Sequence, residues 1–280
     1  MKLGFNLLLW TPHVTLAHEP ILRALKKTGY DGVEIPMFEG DPAHYARLGA
    51  LLDKIGLERS VVSVIQGKNP LSPDKASQAA ALDYAKWTID CSAALGAPIL
   101  GGPMHSELGY FSGNPATAAE RKRALSFHKK AGDYAGKKGV TFALEALNRF
   151  ECYFLNTMQQ LNDYLDEVDH PHVQGMYDTF HANIEEKDPV GAIKTIHPHM
   201  VHVHISENDR GTPGKGHVPW AETYKALKKS KYDGFLTIEA FGRSMPALAA
   251  ATRVWRDFAP SPEEVYKLGF RNMKQGWAKA

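Results

Sequence analysis

Four short segments in the second half of the sequence each end on a side chain that can bind a metal ion. The segments have a β-like apolar pattern, and their terminal residues are Glu145, Asp178, His204 and Glu239. In a parallel barrel the carboxyl ends of all strands open onto one face, so we expect these four side chains to converge there. Three carboxylates and one imidazole form a ligand set suited to a divalent cation, Mn²⁺ first and Mg²⁺ or Co²⁺ as alternatives.

Taken singly, each of these residues has an ordinary structural explanation. A glutamate at a strand end is usually solvated or salt-bridged, and a histidine on an apolar strand is usually a hydrogen-bonded core residue. The joint pattern changes this weighting, because three carboxylates at one mouth repel each other strongly without a cation between them. His202 lies two positions before His204 and points to the same face. We assign His204 to the metal and expect His202 in a lower layer of the core.

The elements that must position these residues alternate along the whole chain. Strands are predicted at 3–9, 32–36, 60–66, 97–101, 140–145, 173–178, 200–205 and 235–240. Helical periodicity is found at 18–29, 42–55, 75–95, 115–138, 157–168, 189–196, 220–230, 244–257 and 261–277. Four of these helices are predicted to end at a glycine: Gly29, Gly56, Gly96 and Gly139.

This alternation indicates a parallel sheet, since hairpin signals are few. An open doubly wound sheet would carry a glycine-rich turn after its first strand, but the first strand here runs into Leu9, Trp10, Thr11 and Pro12. Eight strand–helix units favour a closed (β/α)₈ TIM barrel of the α/β class. We expect one domain over residues 1–280.

Composition excludes several classes of protein. A net charge of +2 is too small to leave the electrostatic footprint of a nucleic-acid-binding protein. No run approaches the roughly 18 apolar residues that span a bilayer, and the apolar segment 3–10 is too short for a signal peptide with a cleavage site. Cys91 and Cys152 form no CxxC pair, so we expect a reducing, cytoplasmic location. The last helix could cover the barrel or help form a homo-oligomer, a dimer or tetramer.

A second set of polar residues follows the same strands. Glu151 lies six positions after Glu145, His181 three after Asp178, and Arg210 six after His204. Each is expected in a loop at the active face, where the three side chains together can hold the hydroxyl and carbonyl end of a sugar. For any one of them alone, a solvated loop residue is the simpler explanation.

Other positions allow both a structural and a functional explanation. Trp10 and Phe241 end the first and last strands, which adjoin in a closed barrel, so they form either an apolar wall for the sugar or simple rim packing. His105 either enters the pocket or lies on a surface loop, and Glu34 either binds a hydroxyl or forms a salt bridge. The segment 211–216 resembles a phosphate nest only loosely and is expected to be a flexible flap, although a phosphorylated sugar stays open.

The sequence resembles a known family, the ketose 3-epimerases of the xylose isomerase-like barrels. Members of this family act on D-tagatose, D-allulose (D-psicose) or L-ribulose. The matching stretches are 144–151, 177–186, 202–207 and 238–241. The resemblance also includes the first strand with Trp10, and thus covers most of the chain. Departures at 101–107 and 211–218 fall where the far end of the sugar would lie, so the identity of the ketose is left open.

The resemblance implies roles for individual residues. Glu145, Asp178, His204 and Glu239 match the metal ligands, and the two glutamates also match the pair that moves protons. The residues that match those holding O1 to O3 of the ketose are Glu151, His181 and Arg210. The implied reaction is inversion of C3 through an enediolate, with one glutamate removing the C3 proton and the other returning one to the opposite face. No organic cofactor is implied.

Three other functions remain open from the sequence. The first is a related sugar isomerase, or a keto-polyol (inosose-type) dehydratase that uses the same metal site and loses water. The second is a DNA-repair endonuclease, which would need several metal ions and a basic groove; the net charge of +2 and the single ligand set argue against it. The third is a sugar-binding protein without activity, although binding alone does not need two bases.

Overall fold

The computed structural model describes residues 1–280, and its centre is a closed barrel of eight parallel strands. Each strand pairs with its neighbour in sequence, and the first strand pairs with the eighth to close the barrel. The strands are β1 Lys2–Asn6, β2 Gly32–Pro36, β3 Glu58–Val62, β4 Ile99–Gly102, β5 Thr141–Leu144, β6 Val173–Asp178, β7 Met200–Ile205 and β8 Phe235–Ile238. The predicted TIM barrel is thereby confirmed.

Helices surround the barrel. They are α1 Glu19–Thr28, α2 Pro42–Ile55, α3 Lys75–Leu95, α4 Ala118–Lys138, α5 Met158–Val168, α6 Thr179–Glu185, α7 Pro189–Ile196, α8 Trp220–Lys229, α9 Pro246–Ala251 and α10 Pro262–Lys279. Short 3₁₀ helices lie at Leu7–Leu9, Leu16–His18 and His197–His199. None of the helices combines the length and apolar character that crossing a membrane requires.

Most element boundaries follow the sequence pattern, and the exceptions have local causes. The strand predicted over 3–9 ends at Asn6, because the side chain of Asn6 accepts a hydrogen bond from the Leu8 amide (2.9 Å) and turns the chain into the 3₁₀ helix Leu7–Leu9. The helix predicted over 244–257 is reduced to α9, and α6 was not predicted.

The predicted glycine ends of helices are confirmed at the ends of α1 to α4. Gly29 follows α1 with φ +116°, in the left-handed region that disfavours other residues. A Cβ atom on Gly29 would also lie 2.7 Å from the ring of Phe270 in α10. A side chain at position 29 would therefore strain the backbone and force the ring of Phe270 to move.

Two layers of buried side chains have different chemistry. Outside the strands, apolar residues such as Phe5 pack against the helices, with the Phe5 ring 5.6 Å from that of Tyr30. Inside the barrel, beneath its mouth, the buried layer is polar and includes Asn6, Glu34 and His202. The barrel wall thus separates an apolar outer core from a hydrogen-bonded inner core that supports the site above it.

Candidate active site

The structure brings the four predicted metal ligands together at the carboxyl ends of β5 to β8. One ligand atom from each of Glu145, Asp178, His204 and Glu239 lies within 4.8 Å of all the others, and all four residues are buried. The Nδ1 atom of His204 is 3.6 Å from Glu145 Oε1, 3.5 Å from Asp178 Oδ2 and 3.6 Å from Glu239 Oε1. The imidazole therefore faces all three carboxylates.

The unpaired atoms of this cluster fit a divalent cation. Glu145 Oε1 and His204 Nδ1 are both buried and have no hydrogen-bond partner in the protein. Unpaired buried polar atoms are rare in proteins because each costs about 1–3 kcal/mol. A hard cation held by carboxylate oxygens and one imidazole nitrogen would satisfy both atoms, so the residues present fit such an ion.

Electrostatics divide the three carboxyl groups into two kinds. Burial raises the pKa of Glu145 to about 8, and it also raises the pKa of Glu239. Burial acts in the same direction on Asp178, but the charges of Arg210 and His204 outweigh it and hold the pKa of Asp178 below its usual value. Asp178 thus remains ionised, whereas the two glutamates can hold or release a proton. Such a division is typical of acid–base sites.

Glu34 lies beneath the cluster and fixes the orientation of His204. This fully buried carboxylate accepts a hydrogen bond from His204 Nε2 (2.7 Å), and its other oxygen lies 2.9 Å from His202 Nε2. Ser60 Oγ donates to it as well (2.9 Å). The structure therefore gives Glu34 the ion-pairing role and places His202 in the lower layer. Burial opposes ionisation of Glu34, but the two histidines keep its pKa well below the usual range.

Arg210 enters the site from the loop after β7 and pairs with two of the acidic residues. Its guanidinium donates to Glu239 and to Asp178 (3.3 Å), and it lies over the ring of Phe180 at 3.8 Å. The backbone of Arg210 has φ +66°, in the left-handed region. Arg210 is only 6% exposed. Its unusual backbone conformation and its burial indicate that its side chain serves the site and not the solvent-exposed surface.

His181 lies next to Arg210 at the polar end of the cavity. The main-chain amide of Asn148 donates a hydrogen bond to His181 Nδ1 (3.0 Å). Burial lowers the pKa of His181 to about 4, which keeps the ring neutral. Arg210 Nη2 lies 3.0 Å from His181 Nε2, so the guanidinium and the imidazole meet at one end of the cavity. An oxygen atom of a ligand at this end could accept a hydrogen bond from the guanidinium. Glu151 lines the same cavity.

The acidic cluster opens into a cavity of about 480 Å³. One end is polar, and the rest of the wall is largely apolar and is covered by residues of α9 and its flanks. Phe241 lies in this wall together with Leu8.

The structure places Trp10 and His105, whose roles the sequence left open, outside the cavity wall. Trp10 is not in the cavity wall; its ring packs 5.1 Å from Phe5 and 6.2 Å from Tyr266, because the 3₁₀ turn after β1 directs it toward the helices. Leu8 occupies the wall position that was expected for Trp10. His105 is fully buried behind the cavity, where its Nε2 donates to the main-chain carbonyl of Glu145 (2.9 Å). His105 therefore supports Glu145 from behind.

The segment 211–216 is tied down rather than free. Glu207 is fully buried and accepts hydrogen bonds from the amides of Gly214 (2.8 Å) and Val218 (3.1 Å) and from the indole of Trp220 (2.9 Å). The amide groups at Gly214 and Val218 therefore point at an internal carboxylate and not at the cavity. Sequence reasoning missed Glu207, although an acidic residue three positions before Arg210 in a glycine-rich loop was a usable signal.

Comparison with known proteins places this fold and site in a family. Residues 22–275 match the family model described as xylose isomerase-like TIM barrel. A probable ketose 3-epimerase of Synechocystis sp. is 33% identical over 276 residues, which is 98% of this chain and 96% of the relative. A ketose 3-epimerase of Arthrobacter globiformis is 31% identical, over 95% of this chain and 93% of the relative.

Solved structures agree with these relatives. The crystal structure of D-allulose 3-epimerase from Methylomonas sp. in complex with D-allulose superposes with a TM-score of 0.91 at 28% identity, covering 98% of this chain and 96% of that one. The chain therefore belongs to the ketose 3-epimerases of the xylose isomerase-like TIM-barrel family. Members of this group are isomerases that act on carbohydrates.

Proposed function

We propose that this protein is a metal-dependent epimerase that inverts C3 of a free ketose of the D-psicose/D-fructose, D-tagatose or L-ribulose type. The observation that carries the proposal is the placement of Glu145 and Glu239 at one cluster, each 3.6 Å from His204 Nδ1. They come from β5 and β8, which lie three strands apart around the barrel, so they approach the centre from different directions. Two bases on two sides of one carbon are what inversion requires.

The chain's own residues account for the proton transfers. One glutamate removes the C3 proton of the sugar, and the other delivers a proton to the opposite face. Burial raises the pKa of both glutamates, whereas a bound cation would favour their ionised forms, which are the forms that accept a proton. Asp178, which stays ionised, serves as a ligand only. When bound, a divalent ion would polarise the C2 carbonyl and so acidify the C3 proton.

The polar end of the cavity supplies the groups that hold the sugar. The Arg210 guanidinium, whose Nη2 lies 3.0 Å from His181 Nε2, can donate to a carbonyl or hydroxyl oxygen of the sugar. Glu151, in the same wall, can accept a hydrogen bond from a hydroxyl group of the sugar. Phe241 offers an apolar surface to the carbon chain. We assign these four residues to the binding of the ketose, with O1 to O3 at the polar end.

The remaining assignments follow from simpler chemistry. Mn²⁺ is the proposed ion, since carboxylate oxygens suit Mn²⁺ and it also accepts an imidazole ligand. We place the protein in the cytoplasm, because Cys91 and Cys152 are buried free thiols. We propose a single functional domain over residues 1–280 and a homo-oligomer, with the free sugar as the partner of the site.

A panel of free ketohexoses and ketopentoses with added Mn²⁺ tests the proposal. We expect chromatography to show the C3 epimer of at least one sugar, with a mass equal to that of the substrate, and we expect chelation to abolish the reaction. A product about 18 Da lighter would instead indicate a dehydratase. Full activity after thorough chelation would contradict the assigned site.

A further inference from the structure

The closure of the barrel places one amide side chain between two carboxylates of the site. Asn6 is the last residue of β1, and it pairs in register with Glu34 of β2. On the other side, Phe5 pairs with Ile238 of β8, so the next residue of each strand brings Asn6 beside Glu239. The Asn6 side chain is fully buried and does not line the cavity.

The hydrogen bonds of Asn6 determine which way its amide points. Its Oδ1 accepts from the Leu8 amide at 2.9 Å, so the NH₂ group must face the opposite way. There Nδ2 is 2.9 Å from Glu34 Oε2 and 3.1 Å from Glu239 Oε1. The two hydrogens of one NH₂ group thus serve two carboxylates.

This bridge links the two halves of the site. The same oxygen of Glu34 that accepts from Asn6 also accepts from His204 Nε2 (2.7 Å). The oxygen of Glu239 that accepts from Asn6 is the one that lies 3.6 Å from His204 Nδ1. Asn6 therefore restrains the position of Glu239 relative to His204.

We propose that Asn6 is a positioning residue that holds Glu239 in the orientation for proton transfer and metal binding. The proposal rests on the function proposed above. Groups that orient metal ligands typically change affinity or activity about 10–100-fold when they are removed. The requirement is a neutral side chain with one acceptor and two donors, and at this length asparagine alone provides them.

A simpler explanation is that Asn6 only caps the 3₁₀ helix Leu7–Leu9. Aspartate caps as well as asparagine does, because the cap needs only an acceptor oxygen. Asn6→Asp keeps that acceptor and the shape of the side chain but replaces the NH₂ donors with a third carboxylate. A capping role thus predicts wild-type behaviour for Asn6→Asp, whereas the bridge predicts displacement of Glu239.

The first measurement uses D-psicose and D-fructose in D₂O with the Mn²⁺-loaded enzyme. A deprotonated sugar either regains a deuteron on its original face or proceeds to the other epimer. If Asn6 positions Glu239, Asn6→Asp slows only the transfer made by Glu239. The measured quantity is the ratio of recovered deuterated substrate to epimer formed. For the sugar whose C3 proton Glu145 removes, this ratio should rise about tenfold. For the sugar whose C3 proton Glu239 removes, it should not rise. A loss of folded protein would leave this ratio unchanged.

The second measurement does not depend on turnover. We expect Asn6→Leu, which has no donor and no charge, to raise the Kd for Mn²⁺ about tenfold or more in calorimetric titration. If Asn6→Leu does not fold, Asn6→Ser takes its place, because serine keeps an acceptor for Leu8 but is too short to bridge. Asp41→Asn, at the exposed cap of α2, is the matched control and should leave both readouts unchanged.

A wild-type partition ratio for Asn6→Asp overturns the proposal, and so does an equal change for both epimers. A wild-type Kd for Asn6→Leu overturns it as well. If the wild-type protein epimerises no ketose, the proposed function fails, and the titration with Mn²⁺ alone still decides the role of Asn6.

Discussion

The Nε2 atom of His204 donates a hydrogen bond to Glu34 over 2.7 Å, and this contact turns Nδ1 toward the acidic cluster. The pair fixes the tautomer of the histidine, since a proton held on Nε2 leaves Nδ1 with a free lone pair. Carboxylate–histidine pairs of this kind orient metal ligands in many proteins.

Glu34→Gln should weaken the binding of a divalent ion. The neutral amide no longer favours the proton on His204 Nε2, so the imidazole loses both orientation and basicity. We expect the Kd for Mn²⁺ to rise about 10–100-fold in calorimetric titration. Glu58→Gln, on the exposed start of β3, is the control and should bind as the wild type does. An unchanged affinity for Glu34→Gln would show that His204 is not oriented by this contact.

Glu145→Gln and Glu239→Gln should each stop the exchange of the C3 proton. Glutamine keeps the size of the side chain but cannot act as a base, so turnover should fall by about 10²-fold or more while the sugar still binds. Loss of the C3 deuterium label to solvent, followed by NMR, measures the step directly. Near-native turnover of either variant contradicts the scheme with two bases.

Arg210→Lys should impair sugar binding although it keeps the charge. Lysine lacks the planar fork that reaches Glu239 and His181 at once. Hydrogen bonds to charged groups contribute about 1.5–3 kcal/mol, which corresponds to a 10–100-fold fall in kcat/KM, mainly through KM. Arg121→Lys is the matched control, because Arg121 pairs with Glu167 through the same fork on the outside of the barrel. Equal kinetics for Arg210→Lys and the wild type would show that Arg210 does not contribute to sugar binding.

Stability should decline as the pH falls below 6.5, and His128 is one identifiable cause. His128 is fully buried, and burial lowers its pKa to about 3. Between pH 6.5 and pH 3 the unfolded chain binds this proton and the folded chain does not, so the free energy of unfolding falls with pH. The contribution of His128 between pH 6.5 and pH 5 is about 2 kcal/mol.

Urea unfolding at pH 7 and at pH 5 measures this dependence. His128→Gln should be less stable at pH 7 but should lose about 2 kcal/mol less than the wild type on going to pH 5. His197→Gln, at an exposed position, serves as the control. The same pH dependence in His128→Gln and the wild type would contradict the assignment.

The sequence predicted the architecture well because the determinants are local. Apolar runs define the strands, and glycines such as Gly29 and Gly56 stop the helices where a left-handed residue is needed. The metal cluster was also predictable, since strand ends of a parallel barrel share one face. The predicted end of β1 was wrong. The apolar run Leu7–Leu9 suggested that the strand continues, but Asn6 turns the chain before it.

The supporting residues could not be predicted in the same way. Asn6 and Glu34 act through partners up to 233 positions away, and no local pattern distinguishes a bridging amide from a helix cap. The side of the 3₁₀ turn on which Trp10 lies likewise depends on packing against Tyr266 in the last helix. Such details follow from how the strands register across the barrel, which single-sequence periodicity does not contain.

The pairing of β1 with β8 has a consequence for how the chain folds during synthesis. Glu239 completes the cluster, and its support from Asn6 exists only after the eighth strand has docked beside the first. During synthesis the ribosome must release most of the chain before these two segments can meet. The acidic cluster is therefore incomplete until the eighth strand has docked, and a chain that stops before β8 lacks Glu239 altogether.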